Sequence, residues 1–456
     1  MKFMIRLFTL CSLSLSLFVF SAQAVSSSTE VGYSDTKVDL PGGVSLAGYL
    51  PRRIFTTSTS PYANYFKSSL GFFNLPRSKT IAIKNNGSIT LLSSLEVVAI
   101  EPDLRKKAED MISEKLNQKV TLHLFATHTH SGAGGFSKFN LWQQLAMDKY
   151  NDFVFNLFLG SVVESSLQAI SKIKKAKLDF QTLNLSDVTY NRRNSQALNT
   201  KLNLITFVDE TLSPIVSMFN FPIHGTILGP DNLYISGDIP SMIEFKLQKT
   251  FKYPFVFFSG AAGDVGPKLT IPESSSMSAS ANITNLNDLS NKIVSQVTTR
   301  WKMSRLPKKI NSVTNYSHPI ELPKAKANLS LCLESVLPRN FHWLSKLFIQ
   351  VDLPPSLNRP MEVSILKMDE LTFYFIPAEP ITEIGNLIEK YSLENQLSNP
   401  LLFTLGNSYF GYILTESEYR RGGYETCNSF YGSQYGNKFI DGMTQAMTTF
   451  KKFIPL

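Results

Sequence analysis

The chain has 456 residues, 43% hydrophobic, 12% aromatic and 18% charged, a composition too apolar for disorder and without the period of a collagen or coiled coil. Its formal net charge is +9, and no aromatic-basic motif concentrates that charge, so a nucleic-acid partner is not expected. The first residues run from Lys2 and Arg6 through an apolar stretch, Leu7–Phe20, to Ala22-Gln23-Ala24. Together they read as a secretory signal occupying residues 1–24. Its removal would leave residues 25–456 with a charge of +7, secreted or periplasmic, a length for two or three domains or one large α/β unit. No later window holds about 18 uninterrupted apolar residues. Cys11 would leave with the signal; Cys332 and Cys427 would stay, free to pair or not.

In chain order, strands are expected at Thr80–Ile83 and Ile89–Val98, joined by Asn85-Asn86-Gly87, whose Asn-Gly pair suits a tight hairpin. Helical spacing follows over Pro102–Gln118, a buried strand over Val120–Ala126, and one long or two consecutive helices over Leu141–Ile173. The basic run Lys172, Lys174, Lys175 and Lys177 is expected to close that helix, where cations suit the negative end of its dipole. Further strands are expected at Leu202–Val208, Pro214–Phe221, Pro254–Ser259, Glu362–Met368 and Leu371–Ile376, and helices at Ser241–Thr250, Asn285–Trp301, Thr382–Lys390 and Phe439–Lys451. Strands and helices interleave throughout, so the fold class is α/β: mixed β-sheets flanked by helices, with the chemistry in loops at strand ends. Glu273–Asn282 reads as an exposed polar loop. The aromatic and basic stretch within Val336–Pro360 reads either as a core-facing helix or as a segment that touches a bilayer or covers an acyl-chain pocket.

Three of the six histidines fall in Thr121–Ser131. If the strand continued, alternation would put His128 and His130 on one face and His123 on the other. A His-x-His at a strand end, followed by Gly132 and Gly134-Gly135, suits a metal or catalytic pair, or is incidental. His224 follows a second predicted strand, again next to a glycine, Gly225. Gly263-Asp264-Val265-Gly266 after a third strand is either a polar site or a tight turn needing glycine. A fourth strand runs into Pro377-Ala378-Glu379, and a tyrosine-rich run spans Asn407 to Tyr431. His318 and His342 lack such context and are expected to be structural.

Taken in order, Thr127-His128-Thr129-His130-Ser131-Gly132, His224-Gly225-Thr226 with Ile235-Ser236-Gly237-Asp238, Gly263-Asp264-Val265, Pro377-Ala378-Glu379 and Tyr412-Ile413 through Glu418-Tyr419 resemble the neutral, non-lysosomal ceramidases over roughly residues 30–450. The resemblance implies a single Zn2+ held by His128, His224, Glu379 and Tyr412. It also implies His130 as proton shuttle, Arg192 and Tyr424 as donors to the developing oxyanion, and Asp264 as a group that orients one of them. The implied reaction is hydrolysis of the N-acyl amide of a ceramide-like lipid substrate, with possible peripheral membrane contact. Another amide or ester substrate, or a catalytically inactive lipid-binding protein, is the alternative. Two departures stand out. Ala378 replaces the family's glycine, and Gly266 stands where the family carries a serine assigned as nucleophile or oxyanion donor. The chain also stops soon after the tyrosine cluster, so no C-terminal immunoglobulin-like domain is expected.

Overall fold

The structure, a computed structural model, describes residues 28–454 except 56–57, 59, 272–278, 305 and 329–349. The signal segment, Cys332, His342 and Phe341–Ile349 therefore lie outside the described residues. Cys427 is disulfide-bonded.

Three mixed sheets carry the architecture. The first runs Val120–Ala126, Ser88–Leu95, Arg77–Asn85, Glu30–Lys37 and Lys174–Lys175. The second runs Phe255–Ser259, Pro214–Phe221, Lys201–Val208, Lys177–Asn184 and Lys308–Lys309, and the third Val313–Ile320, Met361–Met368, Leu371–Ile376 and Pro400–Thr404. Each sheet is antiparallel except for one parallel pair at an edge: Ser88–Leu95 with Val120–Ala126, Pro214–Phe221 with Phe255–Ser259, and Leu371–Ile376 with Pro400–Thr404. Side chains from all three sheets meet in one apolar cluster that includes Ile81, Phe125, Phe207, Met218, Phe258, Phe373 and Phe403. Phe125 is its pivot, with ring centroids 5.2 Å from Phe258, 5.0 Å from Phe375 and 5.9 Å from Phe403. Truncating so enclosed a ring to alanine costs about 3–5 kcal/mol.

Helices Pro102–Leu116 and Asp152–Ser171 lie against the first sheet, Asp238–Phe251 and Ala279–Arg300 pack with the second, and Thr382–Glu394 and Tyr435–Lys451 with the third. Asp152–Ser171 is long and apolar enough to cross a membrane, yet more than half of its apolar window is buried within the protein. Local chemistry explains several boundaries. Asn86 and Gly87 both take positive φ, 49° and 78°, as the hairpin requires. Pro102 opens its helix, and Asn117 closes it in the left-handed conformation at φ 47°.

Several expectations change. Over Leu141–Ile173 the two-helix alternative is found, a first helical piece over Asn140–Trp142 that widens through Gln143–Met147 and a second over Asp152–Ser171, because Asn151 caps a fresh start by accepting from the backbone of Phe153 and Val154. The basic run does not end a helix as a block: the helix stops at Ser171, and Lys174 sits in a short strand where it pairs with Asp209 at 2.7 Å. Of the polar loop expected over Glu273–Asn282, Ala279–Asn282 belong to a helix, and residues 273–278 lie outside the described set. Strands Glu30–Lys37, Lys177–Asn184, Val313–Ile320 and Pro400–Thr404 carry no expectation from the sequence pattern.

Candidate metal centre

The carboxyl ends of the three parallel edge pairs converge, the position at which mixed and parallel sheets present ligands. Thr129 bridges Gly225, Ala126 N–H donates to Leu405 O at 3.1 Å, and Gly263 N–H donates to Pro380 O at 3.0 Å. Residues from five strand ends are thus held within one small volume, and their side chains follow.

His128, His224 and Glu379 bring one ligand atom each to within 4.8 Å of one another, all buried. Glu379 Oε2 lies 3.0 Å from His128 Nε2 and 3.1 Å from His224 Nε2. Tyr412 Oη is 3.2 Å from His224 Nε2. Both imidazoles are oriented from behind by carbonyls, His128 Nδ1 by Val98 O at 2.6 Å and His224 Nδ1 by Val265 O at 3.1 Å. A carbonyl only accepts, so each Nδ1 carries a proton, and in the neutral ring each Nε2 turns its lone pair inward. Two inward lone pairs and a carboxylate oxygen, converging out of water, form a donor set suited to a divalent cation of zinc type.

His130 completes the cluster. Its Nε2 is 3.3 Å from His128 Nε2, and its Nδ1 is 3.1 Å from Gly48 O. Strand alternation is not what joins it to His128. The strand ends at Ala126, and His128 takes φ 63°, a left-handed conformation uncommon outside glycine. That turn lays the two rings edge to face at 4.7 Å. His123 is elsewhere, its Nε2 3.0 Å from Asn315 Oδ1 and its ring on Phe375. His318 contacts the Tyr316 hydroxyl at 3.2 Å on a separate strand.

The electrostatics follow from burial and neighbours. Burial would raise the Glu379 carboxyl, but His128 and His224 outweigh it and hold the group well below the usual carboxylate range. His224 is pulled down to about 4, first by burial and then by Arg192. His130 is lowered by burial and by the two other imidazoles. Of the three clustered imidazoles only that of His128 rises: its burial is overcome by Glu379. Tyr412 is pushed far up by burial and by Glu379.

Arg192 donates through Nη2 to Gly263 O at 2.6 Å and pairs with Glu425 Oε1 at 3.2 Å. It also hydrogen-bonds Tyr412 and lies 5.9 Å from the Tyr424 ring centroid. Tyr424 is half-exposed, stands edge-on to Tyr412 at 5.9 Å, and hydrogen-bonds it. Beneath it Arg193 binds Glu418 at 2.6 Å and Glu425 at 2.8 Å, which anchors the loop. Asp264 stands one step behind. Its Oδ2 accepts from Asn191 Nδ2 at 2.6 Å and its Oδ1 from Thr382 N and Oγ1 at 2.8 Å, while its backbone carbonyl accepts from Arg192 N. Its carboxylate therefore positions the Asn191–Arg192 turn rather than facing the cluster.

Sequence reasoning missed Tyr409, whose hydroxyl donates to Glu379 Oε1 at 2.6 Å. It was one of five tyrosines in its run, with no local signal to separate it. The space a side chain at Gly266 would need is taken as well: a Cβ there would lie 2.9 Å from Tyr190 Cε1 and 3.2 Å from Arg192 Cγ. The cluster opens into a cavity of about 610 Å³ with walls including Val98, Ile100, Trp142 and Leu145, a size and lining typical of sites for largely apolar ligands.

The family model described as "Neutral/alkaline non-lysosomal ceramidase, N-terminal" matches residues 56–299. Among curated proteins, the chain is 26% identical over 200 residues to a neutral ceramidase of Oryza sativa subsp. japonica, covering 39% of this chain and 25% of that one. It is 24% identical over 164 residues to a neutral ceramidase of Pseudomonas aeruginosa, covering 32% of this chain and 24% of that one. The matched stretches thus span about a quarter of these relatives' length. The crystal structure of neutral ceramidase from Pseudomonas aeruginosa superposes with a TM-score of 0.74 at 15% identity, covering 94% of this chain and 75% of that one. A structure described as "Ceramidase complexed with C2" gives 0.75 at 16% identity, with 94% and 76% coverage. The fold is shared across nearly the whole chain, and the family model matches more than half of it: the chain belongs to the neutral/alkaline non-lysosomal ceramidase family.

Proposed function

We propose that this chain is a zinc-dependent amidohydrolase that cleaves the N-acyl amide of ceramide-like lipids to a sphingoid base and a fatty acid. The observation that carries the reading is the buried convergence of His128, His224 and Glu379 at the floor of an apolar cavity. Those three residues and Tyr412 would hold the zinc. When bound, zinc supplies Lewis acidity, which makes water acidic near neutral pH and polarises a carbonyl.

The chain's own residues do the rest. His130, kept neutral by burial and by its imidazole neighbours, accepts a proton from the attacking water at Nε2 and returns it to the departing amine. Water adds to the carbonyl carbon first, which places negative charge on the carbonyl oxygen; as the carbonyl re-forms the C–N bond breaks, and the proton taken up at His130 passes to the departing nitrogen. Arg192 and Tyr424 donate to the carbonyl oxygen as its charge develops. Tyr409 fixes the carboxylate plane of Glu379, and Asp264 fixes the turn that carries Arg192. The apolar walls take hydrocarbon and exclude water. Gly266 offers no hydroxyl, and the Tyr190 ring crowds that point, which favours attack by water over a serine nucleophile.

A basic start, an apolar run and Ala22-Gln23-Ala24 support action outside the cytoplasm, and the lipid substrate supports peripheral membrane contact, with Phe341–Ile349 as the segment whose deletion is expected to weaken vesicle binding. The test is cleavage of labelled ceramide with and without chelator, beside elemental analysis of the purified protein. Chelator-sensitive release of fatty acid with one zinc per chain is expected. Bound zinc with no turnover of any acylated amine or ester refutes the enzymatic reading.

A further inference from the structure

His130 differs from the other two clustered imidazoles in what can hold it. His128 and His224 are oriented from behind by carbonyls and would be fixed in front by the metal they hold, whereas a proton shuttle has to be kept in place by protein alone. The segment that does so is 46–52, which no motif in the sequence marks. It runs behind the histidine turn: Leu46 bridges Ala133, Ala47 N–H donates to Gly132 O at 2.9 Å, and Gly48 N–H to Ala146 O at 2.9 Å. Gly48, at φ 98°, lies so close that a Cβ there would fall 2.9 Å from Cα, Cβ and Cγ of His130, an approach that glycine permits. Its carbonyl accepts from His130 Nδ1 at 3.1 Å, so that nitrogen carries a proton and, in the neutral ring, Nε2 is left to accept one. The Tyr49 ring covers the imidazole, with centroids 5.0 Å apart, and its hydroxyl donates to Thr226 O at 3.3 Å.

Arg52 lies against Tyr49, its guanidinium carbon 4.7 Å from the ring centroid. It is only 1% exposed, and among the described residues no carboxylate forms an ion pair with it. Four carbonyls surround it instead: Nη1 donates to His130 O at 2.6 Å and Ala47 O at 2.8 Å, Nε to Pro230 O at 3.0 Å, and Nη2 to Gly229 O at 2.9 Å. Burying a cation without a counter-ion is costly, and the rigid fork of a guanidinium is what lets one side chain serve several acceptors at once. Those acceptors lie on its own segment, on the turn of His130 and on the loop that follows His224. Arg52 therefore ties the His130 turn to the His224 turn.

We propose that Tyr49 and Arg52 are positioning residues for proton transfer: Tyr49 confines the His130 ring, Arg52 holds its backbone, and together they set the place of Nε2 relative to the metal centre. The proton-transfer role rests on the amidohydrolase reading; the confinement of the ring does not.

The test compares the zinc-loaded full chain with Tyr49→Leu, Tyr49→Phe and Arg52→Lys. Two readouts are taken: kcat, KM and zinc affinity for amide hydrolysis, and the heteronuclear NMR spectrum of the histidine rings at fixed pH, with His130→Gln identifying the His130 signals. In Tyr49→Leu, kcat should fall about 10–100-fold, because slight misplacement of a catalytic group costs that much, while KM and zinc affinity stay within about threefold. The His130 ring, a single Nδ1–H form in the wild type, should average between its tautomers. Tyr49→Phe keeps the ring and should recover most of the loss, and Arg52→Lys, which reaches fewer carbonyls, should lower kcat as Tyr49→Leu does. Tyr49 is partly exposed on the cavity wall, so its variants test the idea even where Arg52→Lys fails to fold, which circular dichroism shows. An unchanged His130 spectrum in Tyr49→Leu, or a loss of zinc that parallels the loss of kcat, overturns the proposal. A changed spectrum with no amide or ester turned over by the wild type leaves the ring confinement standing and refutes the enzymatic reading instead.

Discussion

Replacing Tyr409 by Phe removes a single oxygen atom and leaves the ring, which stands 5.2 Å from Trp142, in place. What disappears is the 2.6 Å hydrogen bond to Glu379 Oε1. Glu379 Oε2 faces both His128 and His224, so a carboxylate free to rotate misaligns with two partners at once. A hydrogen bond to a charged group contributes about 1.5–3 kcal/mol, and loss of an outer-shell partner of a metal ligand typically costs 10–100-fold in affinity, about 1.4–2.7 kcal/mol. The two estimates agree. Tyr409→Phe should therefore bind zinc 10–100-fold more weakly while still binding it, unlike a variant that lacks a ligand. The assay is competition against a chromogenic chelator, followed by amide hydrolysis at saturating zinc. Affinity unchanged within about twofold would refute the idea that Tyr409 orients the carboxylate.

His128→Ala, His224→Ala and Glu379→Ala should each strip metal from the purified protein, whereas His130→Ala should keep zinc and lose turnover; elemental analysis beside the hydrolysis assay separates the two outcomes. The metal-free protein should show a defined pH dependence. Because Glu379 raises the folded-state pKa of His128, the His128–Glu379 pair stabilises fully below the unfolded-state pKa, and that contribution is lost as pH rises through the folded one. Zinc takes the deprotonated ring, so the Tm difference between zinc-loaded and chelator-treated protein should widen from about pH 5.5 to 8; a constant difference would contradict the ligand role of His128. Gly266→Ser should lower rather than raise hydrolysis, since its Cβ meets Arg192 Cγ at 3.2 Å beside the half-exposed edge of the Tyr190 ring at 2.9 Å, at a stability cost of about 1 kcal/mol, the low end for crowding. Adding Tyr190→Ala should recover part of that loss, and strict additivity in denaturant unfolding would argue against the clash.

Local chemistry made much of this protein legible before any coordinates. The Asn-Gly hairpin, the Pro102 helix start and the apolar runs that end at His128, His224 and Glu379 all announce themselves within a few residues, because hydrogen-bond geometry and side-chain periodicity are short-range. The order of those motifs sufficed for the family resemblance. Other features depend on distance between parts of the chain that share no local signal. Tyr409 differs from its neighbouring tyrosines only because Glu379, thirty positions away, sits under its hydroxyl. His128 and His130 meet through a left-handed turn, which alternation along a strand does not foretell. Asp264 faces Asn191 and Thr382 instead of the imidazoles because a short strand pairing turns it there. Sequence pattern specifies which groups stand at strand ends; the packing of three sheets around Phe125 decides which of those ends meet, because that choice is made by apolar contacts between residues far apart in the chain.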